Sequence, residues 1–364
     1  MMKQFIDVIW LLVLTASAGA QTPPPPAKAE RPFEYRVIST LKVASFEKRL
    51  HELAALGFRL EYGIEAAQVL RSSALLMRPQ SVGTTPRYEY KIISTRKVAT
   101  LQKELEEVAQ QGYEVRTIAA NAKPYLGTEI TLSMERPVGV AQPRFAYQVL
   151  KTGMRKEEQF NTQLPQSLAA GFRPIKVLQA IDTGIGIFVG ANNSANLIVM
   201  ERKTDDAAPQ QAVSHAEYKV LETLRLSTME KELNQAAAAG FRLALASPGR
   251  VALLLRDPAT PQVIYEYKLV DSDKNQKSEA AFSAYLQQGY VYRAIFGGNG
   301  GDSAIFERAK GGVAPIWREC KLLRFPVRDD DELEFQIKLR SALAEGFKII
   351  ELAGWGKPLV VLMR

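Results

Sequence analysis

The sequence is poor in the residues that most often carry chemistry, cross-links or metal ions. It has one cysteine, Cys320, so a disulfide within the chain is excluded and stability must come from packing. It has two histidines, His51 and His215, and neither is followed within about four residues by a cysteine or another histidine, as in typical zinc sites. The sequence therefore predicts no metal site, no cofactor and no catalytic residue.

Long apolar runs are missing beyond Ala20, although a bilayer span takes about 20 apolar residues. Before that point, Lys3 precedes a short apolar core, Val8–Leu14, and small residues follow at Ala18–Ala20. This order is typical of a cleaved signal peptide, which we assign to residues 1–20. An uncleaved anchor is the alternative, because Asp7 borders the apolar core. We expect an exported bacterial protein, periplasmic or secreted, that does not span the membrane after cleavage.

Basic residues are in modest excess over acidic residues. The formal net charge is +8 and the pI is about 9.3, which favours anionic neighbours such as lipid headgroups, acidic polysaccharide or nucleic acid. The basic residues are spread evenly along the chain, so a solvated surface is the other interpretation. The charge leaves open an anionic polymer or an envelope protein as partner, and it predicts no specific nucleic-acid binding.

One sequence pattern occurs six times after a proline-rich spacer at residues 21–32. Each copy opens on an alternating strand such as Tyr88-Glu89-Tyr90-Lys91, continues through a charged helical segment to a Gly-aromatic pair, and ends on a strand that finishes in arginine. The spacing from the second aromatic residue to the glycine is the same in four copies. The copies span residues 33–79, 88–137, 145–203, 216–258, 264–309 and 317–364.

Each copy is predicted to be a β-α-β-β module of an α+β protein. In the first, Ser45 is a candidate N-cap, and Gly57 ends the helix so that Phe58 packs back on Leu53. One helix covers one face of a small sheet, and a unit of about 50 residues has a marginal core. Third strands such as Leu197–Met200 are apolar on both faces, so we expect modules to pack pairwise. In the second module Glu135 is expected to face outward.

The repeated pattern resembles a small bacterial family, the domain-of-unknown-function family numbered 4177. Its modules open with a similar Tyr-Glu-Tyr-Lys strand, place a Gly-aromatic pair after the helix and finish near an arginine. The resemblance covers all six copies and implies a fold and a bacterial origin. Arg59, Arg173 and Arg242 depart from it, standing where the family has an acidic residue. The resemblance implies no activity.

The remaining candidate residues favour structural roles. Cys320 replaces the tyrosine of the other opening strands and is expected to be a small buried substitute. Glycine-rich stretches stand between the last two strands of modules three and five, and they are predicted to be hairpin loops, the second a flexible tip. Because loops on a rigid scaffold often bind partners, their residues are weak binding candidates. These candidates are Gly184, Gly186, Asn192, Asn193, Asn299 and Asp302.

Arginines of the last strands recur together with glutamates of the opening strands. The arginines are Arg78, Arg136, Arg202, Arg256, Arg308 and Arg364, and the glutamates are Glu34, Glu89, Glu217, Glu266 and Glu319. We interpret them as cross-strand ion pairs on an exposed face. A basic ladder for a polyanion is the alternative, which the glutamates would neutralise.

The sequence as a whole favours a non-enzymatic, exported repeat protein that acts as an envelope scaffold or protein-interaction surface. A structural motif is duplicated and no reactive residue is duplicated with it, so repeated surfaces would raise avidity. The alternative is a protein that binds a small ligand or an anionic polymer in clefts between modules. An enzyme is the third hypothesis.

Overall fold

The computed structural model describes residues 33–63, 72–79, 87–123, 127–140, 144–152, 157–181, 194–204, 217–223, 225–247, 251–258, 263–272, 276–298, 301–311, 316–326, 331–353 and 359–364. Within them the chain forms six three-stranded antiparallel sheets with one helix each, which confirms the predicted α+β class and module count. The predicted signal peptide and spacer lie outside these residues.

Every module has the same order of elements, with the last strand in the middle of its sheet. The opening strands are β1 (Phe33–Thr40), β4 (Tyr88–Thr95), β7 (Phe145–Thr152), β10 (Glu217–Glu222), β13 (Tyr265–Asp271) and β16 (Cys320–Arg324). The helices are α1 (Val43–Ala55), α2 (Val98–Ala109), α3 (Glu157–Ala169), α4 (Leu226–Ala238), α5 (Gln276–Gln287) and α6 (Glu332–Ala344). The second strands, here called inner strands, are β2 (Arg59–Gly63), β5 (Glu114–Lys123), β8 (Arg173–Ile181), β11 (Arg242–Ser247), β14 (Val291–Gly298) and β17 (Lys348–Ala353). The third, or central, strands are β3 (Ser72–Pro79), β6 (Gly127–Pro137), β9 (Ser194–Lys203), β12 (Val251–Arg256), β15 (Gly301–Ala309) and β18 (Leu359–Met363).

The glycine of each Gly-aromatic pair ends its helix as predicted. Gly57 has φ of 83°, a left-handed conformation that disfavours a side chain, and the amide of Phe58 donates to the Leu53 carbonyl at 3.0 Å. The prediction for the start of this helix was wrong. The helix begins at Val43, so Ser45 lies inside its first turn and is not the N-cap.

The arginine at the end of each central strand binds the C-terminal end of the helix in its own module. Arg78 donates to the Leu56 carbonyl at 2.6 Å, and its guanidinium lies 4.5 Å from the centre of the Phe58 ring. It also pairs with Glu34, which confirms the predicted cross-strand ion pair. Both contacts of the arginine, with the last helical carbonyl and with the aromatic ring, recur at Arg136, Arg202, Arg256, Arg308 and Arg364. The predicted glutamate pairs recur at Glu89, Glu217, Glu266 and Glu319.

The six modules close into a ring around a central axis. Each inner strand lies beside the inner strands of both neighbouring modules, and the series returns from β17 to β2. The approach between modules one and two is so close that a Cβ on Gly63 would lie 2.7 Å from the Cβ of Thr117. Across the last joint, the Tyr62 hydroxyl donates to the Ile349 carbonyl at 3.0 Å. The helices lie outside the inner strands. Five of the six described helices, α1, α2, α4, α5 and α6, lie against the opening strand of the next module, as with α1 and β4.

The hydrophobic core lies at the joints between modules. Each of the six core clusters in the described residues combines side chains from two successive modules. Val37 and Leu75 of the first module pack with Phe335 and Leu362 of the last, which closes the ring. Packing between neighbours was predicted from the sequence, but the closed arrangement was not.

Both faces of the central strands are covered, as their apolar sequences predicted. Leu197–Met200 are fully buried. The prediction that Glu135 faces outward was wrong: it is 3% exposed, because the preceding module contributes Arg59 above it. A glutamate is therefore buried at a joint, where it needs partners.

Helix side chains contact the backbone amides and carbonyls at the outer edges of the opening strands. The Gln102 side chain accepts from the Val149 amide at 2.7 Å and donates to the Tyr147 carbonyl at 3.0 Å. At the first joint His51 Nε2 lies 2.9 Å from the Tyr90 carbonyl, so this exposed histidine also supports a joint. Such contacts cover strand edges that would otherwise pair with other chains.

Candidate functional site

A polar cleft of about 310 Å³ lies at the ring axis between inner strands of modules one, two, three and six. Its size is close to that of small-ligand pockets. A β-bulge in every inner strand, at the fourth residue after the capping glycine, bends the strand here. The charged side chains lining the cleft are Glu61, Glu114, Arg116, Arg173, Lys176, Glu201 and Glu351.

The bulge residues of modules one and two form an ion pair in the cleft wall. Arg116 donates from Nη2 to Glu61 Oε2 at 2.5 Å and from Nε to the Leu60 carbonyl at 2.8 Å. Burial raises the pKa of Glu61, and the Arg116 guanidinium opposes that rise. Arg116 is therefore held by the joint between the first two modules.

Three buried glutamates support joints around the cleft. Glu135, Glu201 and Glu307 immediately precede the arginines of their central strands and are 3% exposed. Each accepts from the tyrosine of its own opening strand, with Glu307 and Tyr267 2.7 Å apart. The Tyr267 hydroxyl in turn accepts from the Leu243 amide of the preceding module at 2.8 Å. Each tyrosine thus links two modules.

Arginines complete what we call the glutamate triads: Arg59–Tyr90–Glu135, Arg173–Tyr147–Glu201 and Arg242–Tyr267–Glu307. Arg59 and Arg242 reach forward from the preceding module, whereas Arg173 belongs to the same module as its glutamate. These three arginines are the departures from the family pattern noted in the sequence. Their position two residues after the capping glycine was therefore the signal for these buried contacts. In modules one, four and six the glutamate position holds Met77, Leu255 and Met363.

A further acid–tyrosine contact joins neighbouring modules at the cleft. Glu351 of module six accepts a hydrogen bond from Tyr292 of module five. Burial raises the pKa of Glu351, while the Tyr292 hydroxyl and the Lys176 ammonium of module three oppose the rise. Burial lowers the pKa of Lys176. The cleft therefore combines desolvated groups of both signs.

Glu114 differs from the other charged lining residues. Among the described residues its side chain has no hydrogen bond or ion pair, and it lies exposed on the cleft. Burial raises the pKa of its carboxyl, and the charges of Glu201 and Glu135 raise it further, against Arg116 and Arg59. An unpaired carboxylate of this kind is stabilised by a bound cationic group.

Of the predicted binding candidates, Asp302 alone lies in the described part of the chain, and it does not line this cleft. Gly184, Gly186, Asn192, Asn193 and Asn299 lie outside the described residues. Asp302 is 4% exposed in β15, where it pairs with Gly297, so its assignment to a flexible hairpin tip was wrong.

Cys320 is buried, as predicted. Burial raises the pKa of its thiol, which disfavours the reactive thiolate.

Two further features are absent from the described part of the chain. No group of three or more His, Cys, Asp or Glu side chains there is placed to share a metal ion. None of the helices described is both long and apolar enough to cross a bilayer.

No protein-family model and no curated protein matches the sequence. The resemblance to the family numbered 4177 therefore stays an expectation based on its motif.

Proposed function

We propose that this is a non-enzymatic binding protein that holds a small polar ligand with a cationic group in the axial cleft. The observation that carries the proposal is Glu114, an exposed carboxylate on the cleft whose side chain has no hydrogen bond or ion pair among the described residues. A ligand ammonium or guanidinium would pair with it, and the groups around it are already fixed by the joints. Because four modules build the cleft, only the assembled ring can provide this site.

The pairing of the acidic side chains in the cleft favours binding over catalysis. Glu201 is engaged by Arg173 and Tyr147, and Glu61 is engaged by Arg116. Such saturated pairs orient a ligand without offering a free acid and base. The axial cleft thus moves the small-ligand hypothesis ahead of the scaffold hypothesis.

Replacing Glu114 by glutamine is expected to weaken binding of a cationic ligand by up to about fivefold, since an ion pair with an exposed carboxylate contributes about 0.2–1 kcal/mol. A thermal-shift screen of small amines, amino acids and neutral sugars would find ligands, and calorimetry would measure the variant. Glu104→Gln, on α2 of the same module and outside the cleft, is the matched control. Equal affinities of the Glu114→Gln protein and the intact protein for every cationic hit would contradict the proposal.

The same site predicts how binding depends on pH. A carboxyl with a raised pKa is protonated at low pH and pairs with a cation only when ionised. Affinity for a permanently charged amine should therefore rise with pH from the ordinary glutamate value of 4.5 through the raised pKa of Glu114, and then level off. Glu61 and Glu351 titrate in the same direction, so Glu114→Gln should reduce the rise without abolishing it.

An envelope scaffold is the second candidate function. The observation that favours it is the covering of opening-strand edges by helix side chains, as at Gln102 and His51, which suits a rigid platform with repeated outer surfaces. A pull-down from cell-envelope extract at low and high salt would test it. A protein partner retained at high salt would support the scaffold, and an anionic polymer released by salt would support an electrostatic binder.

We place this function in the periplasm or outside the cell on the basis of the N-terminal sequence. Lys3, Val8–Leu14 and Ala18–Ala20 support a cleaved signal peptide. Mass determination of the protein recovered from its own cells would test the assignment. A chain that begins at Gln21 is expected, and a chain that retains residues 1–20 would favour the uncleaved anchor.

A further inference from the structure

All connections between modules leave from one face of the ring. In each sheet the start of the opening strand pairs with the end of the central strand, as Phe33 does with Pro79 and Tyr88 with Pro137. Because successive modules repeat the same neighbour contacts around the axis, these strand ends share one face. We call it the linker face. Its described residues are Phe33, the strand ends at each joint with the short described segments next to them, and the helix ends held by the final arginines.

Exposed apolar side chains are concentrated on this face. Among the described residues ten large apolar side chains are exposed, and seven of them lie here. The seven are Phe33, Leu56, Val138, Val140, Val263, Ile264 and Ile316. Val140 and Ile316 are more than 60% exposed. Of the others, Leu41 lies at the opposite end of its module, and Leu333 and Ile337 lie on α6. Such a concentration indicates a surface that contacts an apolar phase or partner.

Basic residues surround these apolar side chains. Arg87, Arg144, Lys203, Lys310 and Arg318 are exposed at the same strand ends. The opening-strand glutamates nearby are paired with the final arginines. Asp257 is the acidic residue that the described linkers add. The face therefore carries a positive excess.

We infer that the linker face docks on the surface of a bilayer that contains anionic lipids. Its exposed valines and isoleucines enter the boundary between headgroups and acyl chains, and its arginines and lysines pair with the headgroups. This inference is independent of the axial cleft, and it adds a membrane surface as a partner of the ring.

Site-specific labels on the full chain test the orientation of docking. With Cys320 replaced by alanine, single cysteines introduced as Val140→Cys or Ile316→Cys carry an environment-sensitive fluorophore, and Leu41→Cys and Leu333→Cys are controls. On vesicles of phosphatidylcholine and phosphatidylglycerol, we expect blue-shifted emission and shielding from an aqueous quencher at residues 140 and 316 but not at 41 and 333. Identical behaviour of all four labels on bound protein would show attachment by the N-terminus alone and overturn the inference.

A charge variant tests the electrostatic part. Arg87→Gln, Lys310→Gln and Arg318→Gln together should lower vesicle affinity by about a hundredfold, at roughly fivefold per basic residue near the surface. The matched control removes the same charge from the outer helices through Lys48→Gln, Lys103→Gln and Lys231→Gln. Equal affinities of the two variants, or absence of vesicle binding by the intact chain, would overturn the inference. Shielding of residues 140 and 316 that rises with protein concentration without vesicles would assign the face to a second copy instead.

Discussion

Deleting the sixth module, residues 312–364, is expected to unfold the first module at the other end of the sequence. Val37 is 4% exposed and Leu75 is fully buried, and both are covered by the sixth module, including Phe335 and Leu362. Uncovering an aliphatic side chain costs about 1.5–3 kcal/mol. The loss at this joint is therefore comparable with the whole stability of a small domain, about 5–15 kcal/mol.

Hydrogen exchange followed by mass spectrometry measures this effect segment by segment. In the deletion variant the amides of β1 and β3 should lose protection together with those of β13 and β15, which also faced the lost module. The internal control is β9 of module three, whose neighbours are modules two and four. Unchanged protection in β1 and β3 would mean that the first module does not depend on the last.

Breaking the Arg242–Tyr267–Glu307 triad is the second change that is expected to lower stability strongly. Glu307 is 4% exposed at its side chain, whereas Arg242 is about half exposed. Removing Arg242 leaves the buried carboxylate without its strongest partner, while removing Glu307 lets Arg242 turn to solvent. We therefore expect Arg242→Leu to lower the free energy of unfolding by about 3 kcal/mol, the low end for broken buried pairs because the arginine is partly solvated.

A double-mutant cycle distinguishes this triad from simple packing. Glu307→Leu alone should cost about 1–2 kcal/mol, because the Tyr267 hydroxyl loses its acceptor. Adding Arg242→Leu to that variant should then cost less than about 1 kcal/mol. Urea unfolding of the four proteins gives the cycle. Additive losses would show that Arg242 does not act through Glu307. Module four already carries the apolar alternative, with Leu255 in the glutamate position.

The sequence was sufficient to predict the modules because their rules are local. Strand alternation, the left-handed glycine seen at Gly57 and the arginine–glutamate pairs each depend on residues within one copy. The glycine recurs in six copies and the pairs in five. Ring closure could not be predicted in this way, because an open and a closed array share the same five internal joints. The joint that distinguishes them uses ordinary apolar residues such as Val37 and Leu75, which have no special signature.

The lining of the axial cleft could not be predicted for a related reason. Except for Glu201, its charged residues occupy shared positions after the capping glycine, but those positions hold acidic residues in some modules and basic residues in others, so no motif unites them. Glu135 was expected to face solvent because strand alternation reports on one sheet and carries no information about the next module. Arg59 and Arg242 were visible as departures from the family pattern, but their partners lie across a joint.

Closure of the ring is the central claim, and cross-linking of the joint between the last and first modules tests it most directly. With Cys320 replaced by alanine, Tyr62→Cys and Ile349→Cys in one chain should be joined within the molecule by a short bis-maleimide at low protein concentration. The comparison pair, Tyr62→Cys with Ala244→Cys, joins module one to the opposite module four and should react far less. Efficient linkage of residues 62 and 349 alone is the result predicted. Equal linkage of both pairs, or linkage only between separate molecules, would contradict a closed ring.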